Sequence, residues 1–549
     1  MIFLTCISVM CVFKAARIAL ASYSEGAASA AKFARSGAWG QNPKNLARDM
    51  MRRVLRDVTM PDLFWYQIPT WNHEARQQEL TWHPFLLPHE MIHYIVQKDS
   101  SWLHLSAALY PETHDLLENS CSKFHTQQSK TAGIGLHGDG VPYTKKDSVE
   151  ILSLNFLGFP TADRIPITCI SKKYLCKCGC KGIHTWYKIL EVIVWSFKML
   201  MVGYVSSYLP NREVWEQAGN LLASGTKLAA HAFVLQVRGD WPFLKTLFSF
   251  PQHNELRGLC WQCLASGIEG SVLTFKKTGL NALWRKHRLT CHEFVESLRT
   301  ANLPVSPLLS LPGFSCKHVV LDWLHVVDLG CAADMLGNLF WQVISTSNLL
   351  LVANSKAHRL DLLWAKLLGW YKVTKPAARL DNLTEEMIKA GEKPKLRAKG
   401  AECRYLLCFG AEVACELAEK QPNTHNTTVA TLFTKLVLLQ RLVSGSLAYN
   451  FETAATVCRQ ACVLYTALHE SMVASHKPKL WDLKPKLHLL QEIVEYQSYH
   501  HGNPRNFWCY RDESWCGFWA RAAKRRGGAN SAAMTPERFL QRYRALEEL

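Results

Sequence analysis

The sequence predicts a mixed α/β protein whose small sheet core is split by a large helical insertion. Three observations carry this expectation. Three runs of strand formers, a long amphipathic helix and a fourth strand follow one another from about residue 131 to 240. From about 266 to 499 the chain turns mostly helical, and the tail closes on an amphipathic helix.

Residues 1–130 are expected as a basic, helical N-terminal region. The first 60 residues are rich in Ala, Arg and Lys, with the basic run RDMMRRVLR. The apolar start MIFLTCISVMCVF lacks a basic leader and is too short to span a bilayer. Residues 61–130 carry many aromatics and His and read as short helices.

The core's first part spans 131–265. AGIGLHGDG reads as a strand ending at Asp139, followed by the strands VEILSLNFLGF (149–159) and RIPITCIS (164–171). Trp186, Ile189, Leu190, Ile193, Val194, Phe197, Leu200 and Met201 repeat at helical spacing. HAFVLQVRGDW then gives a fourth strand, with Asp240 just past its end. The insertion, 266–499, shows helical periodicity at 319–346, 356–372, 401–419, 427–447 and 451–475, broken by the polar loop KAGEKPKLRAKG. Residues 500–549 supply the final helix, with Trp515, Phe518, Trp519 and Ala522 on one side, and a basic tail.

Composition narrows the function. Among 549 residues, 48% are apolar and 20% charged, a globular balance. The excess of 63 basic over 45 acidic side chains gives +18. That charge favours a polyanionic partner, nucleic acid first and an acidic membrane surface second. Several of the 19 cysteines (Cys403, Cys408, Cys415, Cys458, Cys462) lie inside helical patterns as buried thiols, pointing to a reducing compartment. No segment is long and apolar enough to span a membrane, and no G-x-S-x-G elbow supports a serine hydrolase. No C₂H₂ finger, helix-turn-helix signature or RRM motif stands out.

Three acids stand out for their placement. Two-ion phosphoryl transfer needs about three carboxylates meeting at one point, with hard oxygen ligands for Mg²⁺ or Mn²⁺. Asp139 closes the first strand, Asp240 follows the fourth, and Glu513 opens the last helix. Each also has a plainer reading. Asp139 between two glycines suits a tight turn, and Asp240 before Trp241-Pro242 suits a helix N-cap. Asp512 competes with Glu513, since only one of two adjacent residues is expected to face inward. Asp322 with His325 is either a further site acid or a brace between insertion and core.

The strand–strand–strand–helix–strand order is similar to RNase H-like nucleases. Four patches together resemble the D-D-E transposases of the CACTA/Plavaka group: HGDGVPY, VLQVRGDWPFLKTLFSFPQHNELRGLCWQC, LDWLHVVDLG and KPKLHLLQEIVEYQSYHHGNPRNFWCYRDESW. The resemblance covers about half the chain. It implies an RNase H-like core with a helical insertion before the last acid, and Asp139, Asp240 and Glu513 as the catalytic, metal-holding residues. It further implies DNA cleavage at an element's end, followed by attack of the freed 3′-OH on target DNA. Transposon ends and target DNA are then the partners, a homo-oligomer the assembly and the nucleus the location. Two alternatives stand beside it: a transposon-derived protein that binds DNA without chemistry, and a cysteine-rich, zinc-binding interaction protein.

Two cysteine groups carry the Zn²⁺ expectation. Cys260 and Cys263 have C-x-x-C spacing, and the plain alternative is a pair of buried thiols beside Trp261. The resemblance adds His488, and Gln491 and Glu492 occupy the place of the family's second histidine. The fourth ligand is open among Glu492, His500 and His501. In CKCGCKGIH, alternation aims Cys176, Cys178 and Cys180 to one side, with His184 at the helix entrance. A small zinc knuckle or a reduced turn fits equally. Finally, Arg521, Lys524, Arg525 and Arg526 form a cluster suited to DNA phosphates.

Overall fold

The computed structural model describes residues 59–104, 111–142, 147–158, 164–216, 219–251, 259–346, 350–524 and 535–547. The apolar start and the basic run of the first 58 residues lie outside them. The chain is mixed α/β. Its strands are β1 (Phe64–Asn72), β2 (Gln77–Phe85), β3 (Thr131–Pro142), β4 (Ser148–Phe156), β5 (Ile165–Ser171) and β6 (His231–Gly239).

The expected helical character of residues 61–130 is corrected at its start. β1 and β2 form an antiparallel hairpin there. Phe64, Tyr66 and Ile68 are buried while Trp65 and Gln67 face solvent, which is strand alternation. Asn72 Oδ1 accepts from the amides of Glu74 and Ala75 and so makes the turn. The hairpin abuts the main sheet, with the Leu86 amide donating to the Ile167 carbonyl at 2.8 Å. Helices Pro88–Lys98 and Pro111–Phe124 follow as expected.

The main sheet has the order β5-β4-β3-β6, with β3 and β6 parallel and the other pairs antiparallel. β3 to β6 are buried along most of their length, as a sheet covered on both faces requires. The long helix α1 (Ile183–Val202) packs against β6, and α2 (Trp241–Phe248) against β3 and β6. Gly138 lets α2 approach, because a Cβ there would overlap the Phe243 ring. Its neighbours His137 and Asp139 point to the opposite face by alternation. There α3 (Tyr510–Lys524) covers β3, while α4 (Thr535–Glu547) packs on β5 and β2. On α3 the buried residues are Asp512, Cys516, Trp519 and Ala520. Phe518 is exposed, which corrects the apolar face expected from the sequence.

Between α2 and α3 lie further helices, among them Lys356–Thr374 and the consecutively packed Gly400–Lys420, Thr424–Ser444 and Phe451–Ala474. The helix expected from 319 starts later. Val319 first makes a parallel bridge to Val237, and the Val320 amide donates to the Val237 carbonyl. This strip runs beside β6 and delivers Asp322. Two π-helical stretches, Leu324–Ala332 and Glu492–Gln497, follow the two places where the insertion meets candidate site residues.

Candidate functional site

The β3–β6 ladder brings two of the acids together. Gly138 pairs with Gly239 across the parallel strands, so Asp139 and Asp240 sit side by side where the ladder ends. Asp139 lies within β3, opposite Ile151, and is buried; the ladder continues to Pro142, which corrects the strand end and the tight turn expected at Asp139. Its Oδ1 accepts from the Gly140 amide at 2.7 Å. Asp240 also fulfils its plainer role, capping α2 by accepting from the Phe243 amide at 2.7 Å.

Glu513 meets them from α3. Burial, and then the charge of Asp139, push its carboxyl up to about 8, against the opposing charge of His325. Asp240 is also raised, by burial first, with Asp139 adding to it against the Phe243 amide. The site is thus crowded with negative charge. The three carboxylates are not among the side-chain groups whose ligand atoms all lie within 4.8 Å of one another, so they form an open arrangement.

Cations frame the acids. His325 Nδ1 lies 2.6 Å from Asp322 Oδ2, and its Nε2 lies 3.8 Å from Glu513 Oε1. Burial opposes an imidazolium there, but Asp322, then Glu513 and Asp240, hold it up at about 9. Asp322 also accepts from the amides of Leu324, His325 and Cys509. It therefore ties the start of the Leu324–Ala332 stretch to Cys509, just ahead of α3. On another side, Lys172 Nζ pairs with Glu150 at 2.9 Å and feels both Asp240 and Asp139. The sequence reading passed over Lys172 and Glu150. Glu150 as the one charged residue in the apolar run of β4 was the available signal.

Asp512 corrects the expectation that only one of the adjacent acids faces inward. It is fully buried beneath Glu513, where Arg164 Nε donates to its Oδ1 at 2.7 Å and Arg238 lies at 3.4 Å. Burial alone would raise this carboxyl, but Arg238, His137 and Arg164 hold it far below the usual range. Arg238 also donates to Asn155 Oδ1. The network fixes the first turn of α3 against the sheet and thereby aims Glu513.

Two four-ligand groups match the Cys/His expectations. Cys260, Cys263, His488 and Glu492 are all buried, with ligand atoms within 4.8 Å of one another. His488 Nε2 lies 3.3 Å from both Cys263 Sγ and Glu492 Oε1. Glu492 thus stands at the open fourth position, while His501 turns away to the Lys317 carbonyl at 2.9 Å. Two thiols, an imidazole and a carboxylate make a donor set that suits tetrahedral Zn²⁺. Arg288 holds the outer side of Glu492 with two hydrogen bonds, of 2.6 and 2.8 Å.

The second group is Cys176, Cys178, Cys180 and His184, also within 4.8 Å. Cys178 Sγ lies 3.3 Å from His184 Nδ1 and 3.4 Å from Cys176 Sγ. Gln78 of β2 reaches into it, its Oε1 lying 3.1 Å from His184 Nδ1. Both groups could hold a metal such as zinc. Of the basic cluster, Arg525 and Arg526 lie outside the described residues, and only the backbone is described at Arg521 and Lys524.

No family model matches the chain, and no curated protein matches its sequence. Among the described residues, no helix is long and apolar enough to cross a membrane.

Proposed function

We propose that this protein cuts DNA strands by two-metal phosphoryl transfer, as a transposase-like nuclease with an RNase H-like core. The observation carrying the proposal is the Gly138–Gly239 pairing, which sets Asp139 beside Asp240 at the end of the β3–β6 ladder, together with the interaction of Glu513 on α3 with Asp139. The sheet order β5-β4-β3-β6 and the helical segment between Asp240 and Glu513 support it. So does the upward shift of Glu513 and Asp240, since an excess of buried negative charge is what divalent cations relieve.

Asp139, Asp240 and Glu513 would hold Mg²⁺ or Mn²⁺. Bound there, two such ions supply charge neutralisation and an activated water at the scissile phosphate. Lys172 offers a fixed positive charge for a phosphate oxygen at the rim. Nuclear DNA, with transposon ends and target as substrates, and assembly as a homo-oligomer belong to the same proposal.

The test is nicking of supercoiled DNA by the purified full chain with added Mg²⁺. Cleavage that disappears in Asp139→Asn and in Asp240→Asn supports the assignment. Undiminished cleavage in either variant overturns it. A second reading, DNA binding without chemistry, is favoured by His325, which places its own cation against Glu513. Salt-sensitive DNA binding with no nicking under any divalent ion would select that reading.

A further inference from the structure

Every cysteine among the described residues is free. Six of them, Cys176, Cys178, Cys180, Cys260 and Cys263 with Cys509, stand in groups that gather His or acidic ligands. Cys458 and Cys462 neighbour each other but are both buried, whereas a second close pair has a partly exposed member. Cys291 Sγ and Cys316 Sγ lie 3.1 Å from each other. No third His, Cys, Asp or Glu among the described residues joins them in a ligand group. Tetrahedral zinc needs four ligands, so this pair is not suited to that metal. Two thiols in contact with no metal partner are suited to one other chemistry, a disulfide.

The two sulfurs are not equivalent. Cys291 is the first residue of the helix Cys291–Thr300, behind the N-cap Thr290 and its reciprocal hydrogen bonds with Glu293. The Cys316 amide also donates to Cys291 Sγ, at 3.3 Å. A helix start and a backbone donor both favour a thiolate. The hydrogen bond from the Cys316 thiol, helped by that amide and opposed by burial, brings Cys291 down to about 6. Cys291 is half-buried, so a small reagent can reach it, whereas Cys316 is buried behind it. Cys316 acts as the hydrogen-bond donor, and both that role and burial push its thiol up. One sulfur is thus built to react first and the other to follow.

We propose that Cys291 and Cys316 are a reversible oxidation site, closed into an intramolecular disulfide by a hydroperoxide. The Cys291 thiolate attacks one oxygen of hydrogen peroxide, the O–O bond breaks, and hydroxide leaves, giving a sulfenic acid at Cys291. Cys316 then attacks that sulfur. The S–S bond forms, the S–O bond breaks, and the departing hydroxide takes the Cys316 proton to leave as water. The two sulfurs lose two electrons and the peroxide gains them. A dithiol reductant restores both thiols by exchange. The bond would tie the helix Cys291–Thr300 to the turn Cys316–His318, from which the strip carrying Val319, Val320 and Asp322 departs.

The test uses the reduced, full-length protein with zinc present and a small excess of hydrogen peroxide. Free thiols are then blocked by alkylation and the peptides read by mass spectrometry. The expected result is one cross-linked peptide pair joining Cys291 to Cys316, two hydrogens lighter than its reduced halves and lost on treatment with dithiothreitol. In Cys316→Ser, Cys291 should remain as a sulfenic acid that dimedone traps. In Cys291→Ser, the disulfide should vanish with no dimedone adduct at Cys316. The wild-type experiment stands alone should either variant fail to fold. Complete alkylation of both residues after peroxide, or a disulfide from Cys291 to any other cysteine, overturns the proposal.

Discussion

His325 bridges Asp322 and Glu513, with its two ring nitrogens 2.6 Å and 3.8 Å from the respective carboxylates. One imidazole thus links Asp322 to the acid on α3. Both His325 and Glu513 bind a proton more tightly in the folded chain than in the unfolded one. For Glu513 the value rises from 4.5 to about 8, by burial and then by Asp139. For His325 it rises from 6.5 to about 9, as Asp322 overcomes burial. The stability from Glu513 is therefore fully present below 4.5 and lost as pH climbs through 8. That from His325 is present below 6.5 and lost through 9. Without added Mg²⁺, urea midpoints should fall from pH 6 to 9. Glu513→Gln and His325→Gln should each flatten that slope, and an unchanged slope in both would remove the linkage from this pair.

Asp512 should matter for stability more than for metal binding. Asp512→Asn leaves Arg164 and Arg238 as buried cations facing a neutral amide. Breaking such a pair from one side costs about 3–5 kcal/mol. Equilibrium urea unfolding should show a loss of that order, and a change below about 1 kcal/mol would contradict the assigned role.

Gly138 fixes how closely α2 lies on the sheet. Gly138→Ala sets a methyl group against the Phe243 ring, which is itself wedged edge-on to Trp186. Overpacking of this kind costs about 1–3 kcal/mol. The helix start that carries Asp240 should shift with the ring. Thermal melting would report the first effect. Loss of the proposed Mg²⁺-dependent nicking in a variant that still folds would report the second.

Metal content separates the two cysteine groups. Mass-spectrometric metal analysis of the purified chain should find zinc, with Cys263→Ser removing one share and Cys178→Ser another. His488→Ala should match Cys263→Ser, because Nε2 of His488 faces that thiol at 3.3 Å. Zinc content unaffected by all three substitutions would exclude both groups as holders.

The parts of this molecule legible in its sequence were those governed by short-range rules. The strands around 131–142, 148–156, 165–171 and 231–239 show as runs of strand formers, and Asp240 shows as a cap because Trp241-Pro242 follows it. In the hairpin only Phe64–Ile68 of β1 alternates, while β2 is exposed at its start and buried over its last three residues, so no clear strand pattern shows there. What local rules cannot supply is register. Nothing near Gly138 or Gly239 states that they pair, yet that pairing sets Asp139 beside Asp240. The same holds for Glu492, whose place among Cys260, Cys263 and His488 depends on a fold-wide contact with a segment near Arg288. Asp512 was misjudged because helical spacing says which face a residue occupies, not that buried arginines await it.

The third acid reaches the sheet on one of the last helices, while its partners lie on strands made far earlier. During synthesis the first two aspartates can pair as soon as β6 leaves the ribosome, but the pocket stays open until residue 513 has emerged. A transcript that stops anywhere inside the insertion therefore yields a product lacking its closing carboxylate. Such a product would keep both aspartates and lack the helix that covers β3.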